Sequence, residues 1–225
     1  MEGGYFHILR NLAHMGVKRN YLPVYKTSMW GMFLLLCIAT LCILLIKKSF
    51  IENETAAFEV LEMEGGAGFL HFLNTLQFLS IPIVYLYKFL IIAFLLWAGC
   101  FLFGYRLLFR EAFHTAIIAE FIFLIPEMLK VMYFMTFNTD PTLFEVQSFY
   151  PFSLMNFADP ETLARKWFYP LKAANVFEVI YWFILVYLLH SVLRKNRIII
   201  IAIVTISYII PFIGWLFYYA AVYKG

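Results

Sequence analysis

Five ionisable side chains interrupt the apolar runs of this sequence: Lys88, Glu120, Glu127, Lys130 and Glu178. Charge in a nonpolar phase is expensive, so such residues mark functional positions by default. Glu120 and Glu127 are seven residues apart and share a helical face, and Lys130, three beyond Glu127, can pair with it. Pro126 lies between the glutamates, where it removes a backbone donor and kinks the helix. Lys88 and Lys130 each sit about two turns from one end of their runs, and Glu178 about one turn in. At those depths Lys88, Glu127, Lys130 and Glu178 converge in one polar cluster. Two cations cancel two carboxylates there, which favours a structural ion-pair network over a transport site, and both lysines can snorkel. Glu120 lies deeper, with no cation at its depth. Two states are open to it: protonated and hydrogen-bonded, or lining a polar cavity as a candidate proton or cation site.

No catalytic set accompanies these residues. The only aspartates, Asp140 and Asp159, fall in a polar stretch, so an intramembrane aspartate pair is missing. Neither H-E-x-x-H, nor Gly-x-Ser-x-Gly, nor a Glu-Glu pair, nor a phosphate-cradling loop occurs. His114 and His190 lack a third ligand and read as interface-facing side chains rather than a metal site. Cys37, Cys42 and Cys100 sit in apolar runs and read as small packing residues. The expectation is a non-enzyme, without cofactor or metal.

The elements that must position these residues follow from composition. Of 225 residues, 64% are hydrophobic, 20% aromatic and only 14% charged. No soluble core of this length hides so much apolar surface, and the 26 Phe and 15 Tyr exclude disorder. A net charge of +3 without a basic stripe gives no reason to invoke nucleic acid. The partner that composition demands is the lipid bilayer.

An all-α polytopic bundle of about five spans is predicted, at about 30–46, 81–105, 113–137, 174–193 and 198–219. Residues 1–28 form a basic segment with Phe6, Leu9, Leu12 and Ala13 at helical spacing, resting on an anionic leaflet; residues 29–225 form one transmembrane domain. The acidic loop after Lys47-Lys48 leads into a short interfacial helix, Phe69 to Leu79, with Ser80 and Pro82 capping the second span. Loops 47–80 and 138–173 are the longer ones; Asp140-Pro141 and Asp159-Pro160 start short helices in the second, and Asn53-Glu54-Thr55 matches a glycosylation acceptor in the first. With the N-terminus cytoplasmic and the C-terminus outside, Arg106, Arg110, Arg194, Lys195 and Arg197 lie inside and the acidic loops outside, as the positive-inside rule requires.

Phe109-Arg110-Glu111-Ala112-Phe113 with Pro126 following, and Tyr169-Pro170-Leu171 through Asn175-Val176-Phe177-Glu178, resemble the third- and fourth-span entries of bacterial-type members of the Yip1 family. That resemblance implies a five-span, non-enzymatic protein of the bacterial inner membrane, the alternative being a eukaryotic endomembrane. The leading functional expectation is a subunit or scaffold of a larger membrane assembly, such as protein-export or envelope machinery, with other membrane proteins as partners. The alternative is a small transporter or channel with Glu120 as its ionisable centre.

Overall fold

The computed structural model describes residues 23–49, 67–137, 143–159 and 162–223. The basic N-terminal helix, the acidic loop, the Asn53 acceptor and both Asp-Pro junctions lie wholly or partly outside the described residues. Those described are helical, with no strand and one isolated bridge, Ser153 to Asn175.

Helix α1, Met29–Lys47, starts at Ser28, whose hydroxyl accepts from the Gly31 N–H at 3.3 Å. Helix α2 runs from Ala67 to Leu102 without interruption, 36 residues with Pro82 inside. This corrects the expectation of an interfacial helix ending at Leu79. A proline inside a helix forfeits one backbone bond, and in an apolar surround the remaining N–H and C=O groups have no better partner than the helix itself. Its segment Phe78–Leu102 is one of four helices long and apolar enough to cross a membrane, with Met29–Lys47, Val176–Leu193 and Arg197–Val222. The chain is thus a helical integral membrane protein.

Helix α2 stops at Gly104, whose φ of +74° suits a residue without Cβ, and the Tyr105 N–H closes back on the Cys100 carbonyl at 2.8 Å. No atom lies within 4 Å of a Cβ built there, so only backbone strain opposes substitution. Gly104→Ala is expected to cost about 1 kcal/mol in denaturant titration of the detergent-solubilised protein. No change would mean that the turn relaxes.

The predicted third span is not one helix. Helix α3, Phe109–Glu120, gives way to a 3-10 turn, Phe121–Phe123, before α4, Leu124–Thr136. Pro126 has no N–H for the Ile122 carbonyl, and the chain tightens just before it, with the Leu124 N–H reaching the Phe121 carbonyl. Beyond α4 come α5, Leu143–Ser148, two further 3-10 turns (Leu154–Phe157 and Arg165–Trp167) and α6, Phe168–Ala173. Helix α7, Val176–Leu193, is capped by Asn175, and α8, Arg197–Val204, by Asn196. A π turn, Thr205–Ile209, joins α8 to α9, Ile210–Val222; there the Ile210 N–H bonds the Thr205 carbonyl immediately before Pro211.

Packing follows small side chains rather than area alone, since lipid is as apolar as leucine. Ala112, Ala116 and Ala119 form a fully buried stripe on α3, which packs against α2 and α7. Phe89, Leu96, Ile117, Leu185, Leu189 and Ile203 complete the core. The turns at 103–108 and 194–196 share one end of the bundle, where the Lys195 ammonium lies 5.9 Å from the Tyr105 ring centre. Residues 143–173 cover the other end.

Candidate functional site

Measured from the 103–108 turn, Lys88 lies fourteen residues before Leu102 and Glu120 eleven beyond Phe109, about 21 and 17 Å along their helices. The two meet: Lys88 Nζ is 2.5 Å from Glu120 Oε1. Glu120 therefore has a cation at its depth, contrary to the count from the far ends. That count assumed that α2 began near residue 81, whereas the helix extends back to Ala67. The Lys88 ammonium also stands 4.9 Å from the centre of the Phe123 ring, an arrangement the 3-10 turn makes by swinging Phe123 under it. Its side chain is 42% exposed, that of Glu120 only 3%. Glu120 Oε2 is buried and accepts no hydrogen bond among the described residues.

Glu178 does not join an ion pair with the lysines. Its Oε1 accepts from Trp182 Nε1 at 3.0 Å and from the Tyr208 hydroxyl at 3.1 Å. Its own N–H donates to Asn175 Oδ1 at 2.9 Å, so the carboxylate sits in the first turn of α7, where a helix favours negative charge. Tyr208 belongs to the π turn, which aims its hydroxyl at α7. Tyr181 lies between the two acids, its ring against Phe123 at 5.2 Å and Tyr208 at 5.4 Å, with its hydroxyl buried and unpartnered. Both helix interruptions therefore border the same polar centre: Lys88–Glu120, Tyr181, and Glu178 with Tyr208 and Trp182.

Glu127 and Lys130 fall elsewhere, which corrects the four-residue cluster. Three residues of 3-10 winding advance about 120° each instead of about 100°, so Glu127 turns roughly 60° from the face it would share with Glu120 on a regular helix. Glu127 is half-buried, and Lys130 Nζ donates to the Val146 carbonyl at 2.5 Å. Lys172 Nζ donates to the next carbonyl, Gln147, at 2.8 Å, so two cations tie down the C-terminal end of α5. Burial holds the Lys172 ammonium below its ordinary pKa, helped by Lys47 nearby and opposed by Glu127. Tyr150 in the same loop has its phenol pushed up by burial and then by the charges of Glu127, Glu178 and Glu120, which places the loop directly over the acids. Sequence reasoning missed Tyr150, Tyr181, Tyr208 and Trp182, whose types read as packing or interface anchors; only Pro211, three residues past Tyr208, signalled the π turn.

At the turn end, the Tyr25 hydroxyl and Thr115 Oγ1 are 2.7 Å apart, and Thr115 donates to the Glu111 carbonyl at 2.8 Å. His114 is buried with its ring edge-on to Tyr25 at 5.2 Å and Nε2 unpartnered, so it does not face the interface as expected. Burial raises the Tyr25 phenol above its usual pKa, against the Thr115 hydrogen bond and with the Glu111 charge. Tyr25→Phe is expected to cost about 1 kcal/mol in the same denaturant titration; a stability gain would show that the bond does not form in solution. Cys37 and Cys100 are buried and Cys42 exposed, all free. Among the described residues no group of three His, Cys, Asp or Glu is placed to hold a metal ion.

The class this geometry defines is a helical membrane protein with a buried ionisable centre spanning four of its helical segments. No family model, curated protein or solved structure matches the chain.

Proposed function

We propose that the chain is a non-enzymatic subunit or scaffold of a larger membrane assembly. The observation that carries this is Lys88. It lies ten residues from Phe78 and fourteen from Leu102, near the middle of a 25-residue span, yet 42% of its side chain is uncovered. Ionisable residues at that depth face a protein interior or a polar cavity, because lipid offers the ammonium nothing. A flank of the bundle that carries such a group is the inside of something larger. Purification from native membranes in mild detergent, followed by mass spectrometry, tests the reading: stable co-purifying membrane proteins are expected, and recovery as a lone monomer would overturn it.

In this reading α3 and α4 together make a fifth crossing, and the turns bearing Arg106, Arg110, Arg194, Lys195 and Arg197 face the cytoplasm. A bacterial inner membrane and Yip1-like kinship remain part of the proposal, supported by the residue patterns at 109–113 and 169–178.

A second reading has its own observation. Glu120 Oε2 and the Tyr181 hydroxyl are both buried without partners, beside two interrupted helices, a combination that suits a proton or cation site in a small transporter. Reconstituted vesicles then show an ion flux that Glu120→Gln abolishes; an unchanged flux removes Glu120 from the mechanism.

A further inference from the structure

Lys88, Leu95 and Gly99 lie on one stripe of α2, seven and eleven residues apart. At Gly99 the stripe presses on the π turn, so closely that a Cβ added there would stand 2.4 Å from Ser207 Cβ. Past the π turn the last helix leaves α2: α9 packs on α6 and on the Arg165–Trp167 turn instead. A cleft therefore opens between α2 and α9, with the Gly99–Ser207 contact at its apex and Lys88 on its wall. Phe123 lies under the ammonium, and Tyr208 and Phe212, stacked with ring centres 6.1 Å apart, continue the aromatic floor. On the rim, Ile91 and Ile213 are uncovered.

We infer that this cleft seats a transmembrane helix of a partner protein that presents a neutral hydrogen-bond acceptor, the side chain of Asn, Gln, Ser or Thr, to Lys88. The charge and donor count specify the partner. An ammonium has three N–H donors, and Glu120 takes one. Glu120 already balances the charge, and the Glu178 carboxylate also lies within the field of Lys88. A further carboxylate would set three acids against one ammonium. What Lys88 lacks is acceptor oxygen without charge. Within a bilayer such oxygen comes from a polar side chain on a neighbouring helix, and polar contacts of this kind hold helices together in lipid. The small residues at the cleft apex allow a backbone to approach closely.

This inference rests on the assembly reading, and its test separates the two. A photoreactive residue is placed at Ile91 on the cleft rim, or at Leu34 on the far face of α1, in the full chain in native membranes. At Ile91 the expected adduct maps by mass spectrometry to an apolar segment of another protein that contains Asn, Gln, Ser or Thr. Its yield is expected to fall about tenfold in the Lys88→Met/Glu120→Leu double variant, which removes donor and acid together, as loss of one such hydrogen bond implies. Lys88→Arg, which keeps the donors, is expected to retain the adduct. Lipid adducts alone at Ile91, with protein adducts at Leu34, would overturn the cleft as the docking surface while leaving the assembly reading intact. Lipid adducts at both positions from a protein purified as a monomer would overturn both. A crosslinked segment without a polar side chain, or a yield indifferent to the double variant, overturns the acceptor chemistry.

Discussion

Gly99→Leu is expected to lower bundle stability by about 3 kcal/mol or more, with Gly99→Ala losing roughly 2 kcal/mol, because overpacking a closed contact costs on that order. The reason lies in what the new side chain meets. An ideal Cβ at Gly99 would stand 2.4 Å from Ser207 Cβ and 2.8 Å from Ser207 Oγ, and a Cβ cannot rotate out of the way as the end of a long side chain can. Ser207 is held by the π turn, so relief requires moving the turn, and Tyr208 moves with it. Two consequences are measurable. Ser207→Gly combined with Gly99→Ala should recover much of the loss, giving a clearly non-additive cycle in denaturant titration. Gly99→Ala should also weaken the Tyr208–Glu178 hydrogen bond, so that adding Tyr208→Phe costs less than it does in the parent chain. Strictly additive losses in both cycles would show that α2 and the π turn do not touch as described.

The second large effect is asymmetric. Lys88→Met strands a carboxylate that is 97% covered, whereas Glu120→Gln strands an ammonium whose side chain is 42% exposed and can reach toward a polar surface. Removing one partner of a buried pair costs about 3–5 kcal/mol when the other is left without compensation. Lys88→Met is therefore expected near the lower part of that range, roughly 3 kcal/mol, and Glu120→Gln below it, about 1–2 kcal/mol. Lys88→Met/Glu120→Leu, with no charge left to solvate, should return close to the parent stability. Unfolding of each variant in mixed micelles by added denaturing detergent reads all three. Equal losses for the two single variants would mean that the exposure difference carries no energy.

What was legible in the sequence was set by long apolar runs: Met29–Lys47, Val176–Leu193 and Arg197–Val222 fall within a few residues of the spans read from composition. What was not legible depended on where helices begin. Lys88 was matched to the wrong acid because Ser80 and Pro82 imitate a helix start, and an error of ten residues in origin becomes about 15 Å in depth. Pro126 signalled a disturbance, and the residues themselves do not say whether it resolves as a kink or as a 3-10 turn. The choice matters, because only the second rotates Glu127 away from Glu120. His114 and the tyrosines were unreadable for another reason: their types serve equally well at an interface and in a core, and only the packing of Tyr25, Tyr181 and Tyr208 decides.

The helices of this bundle differ widely in length, and that disparity selects a membrane. Helix α7 has 18 residues and α1 has 19, about 27 and 28 Å, whereas α2 has 36, about 54 Å. A helix that is too long can tilt or stand clear of the bilayer, but one that is too short must thin the lipid around it or draw its flanking charges inward. The two short helices therefore fix the preferred hydrocarbon thickness at the thin end of the biological range, and the long one imposes no limit. Thickened, sterol-rich bilayers would pull Lys47 at one helix end and Arg194 at the other toward the oil, so the protein is matched to thin membranes by its shortest members.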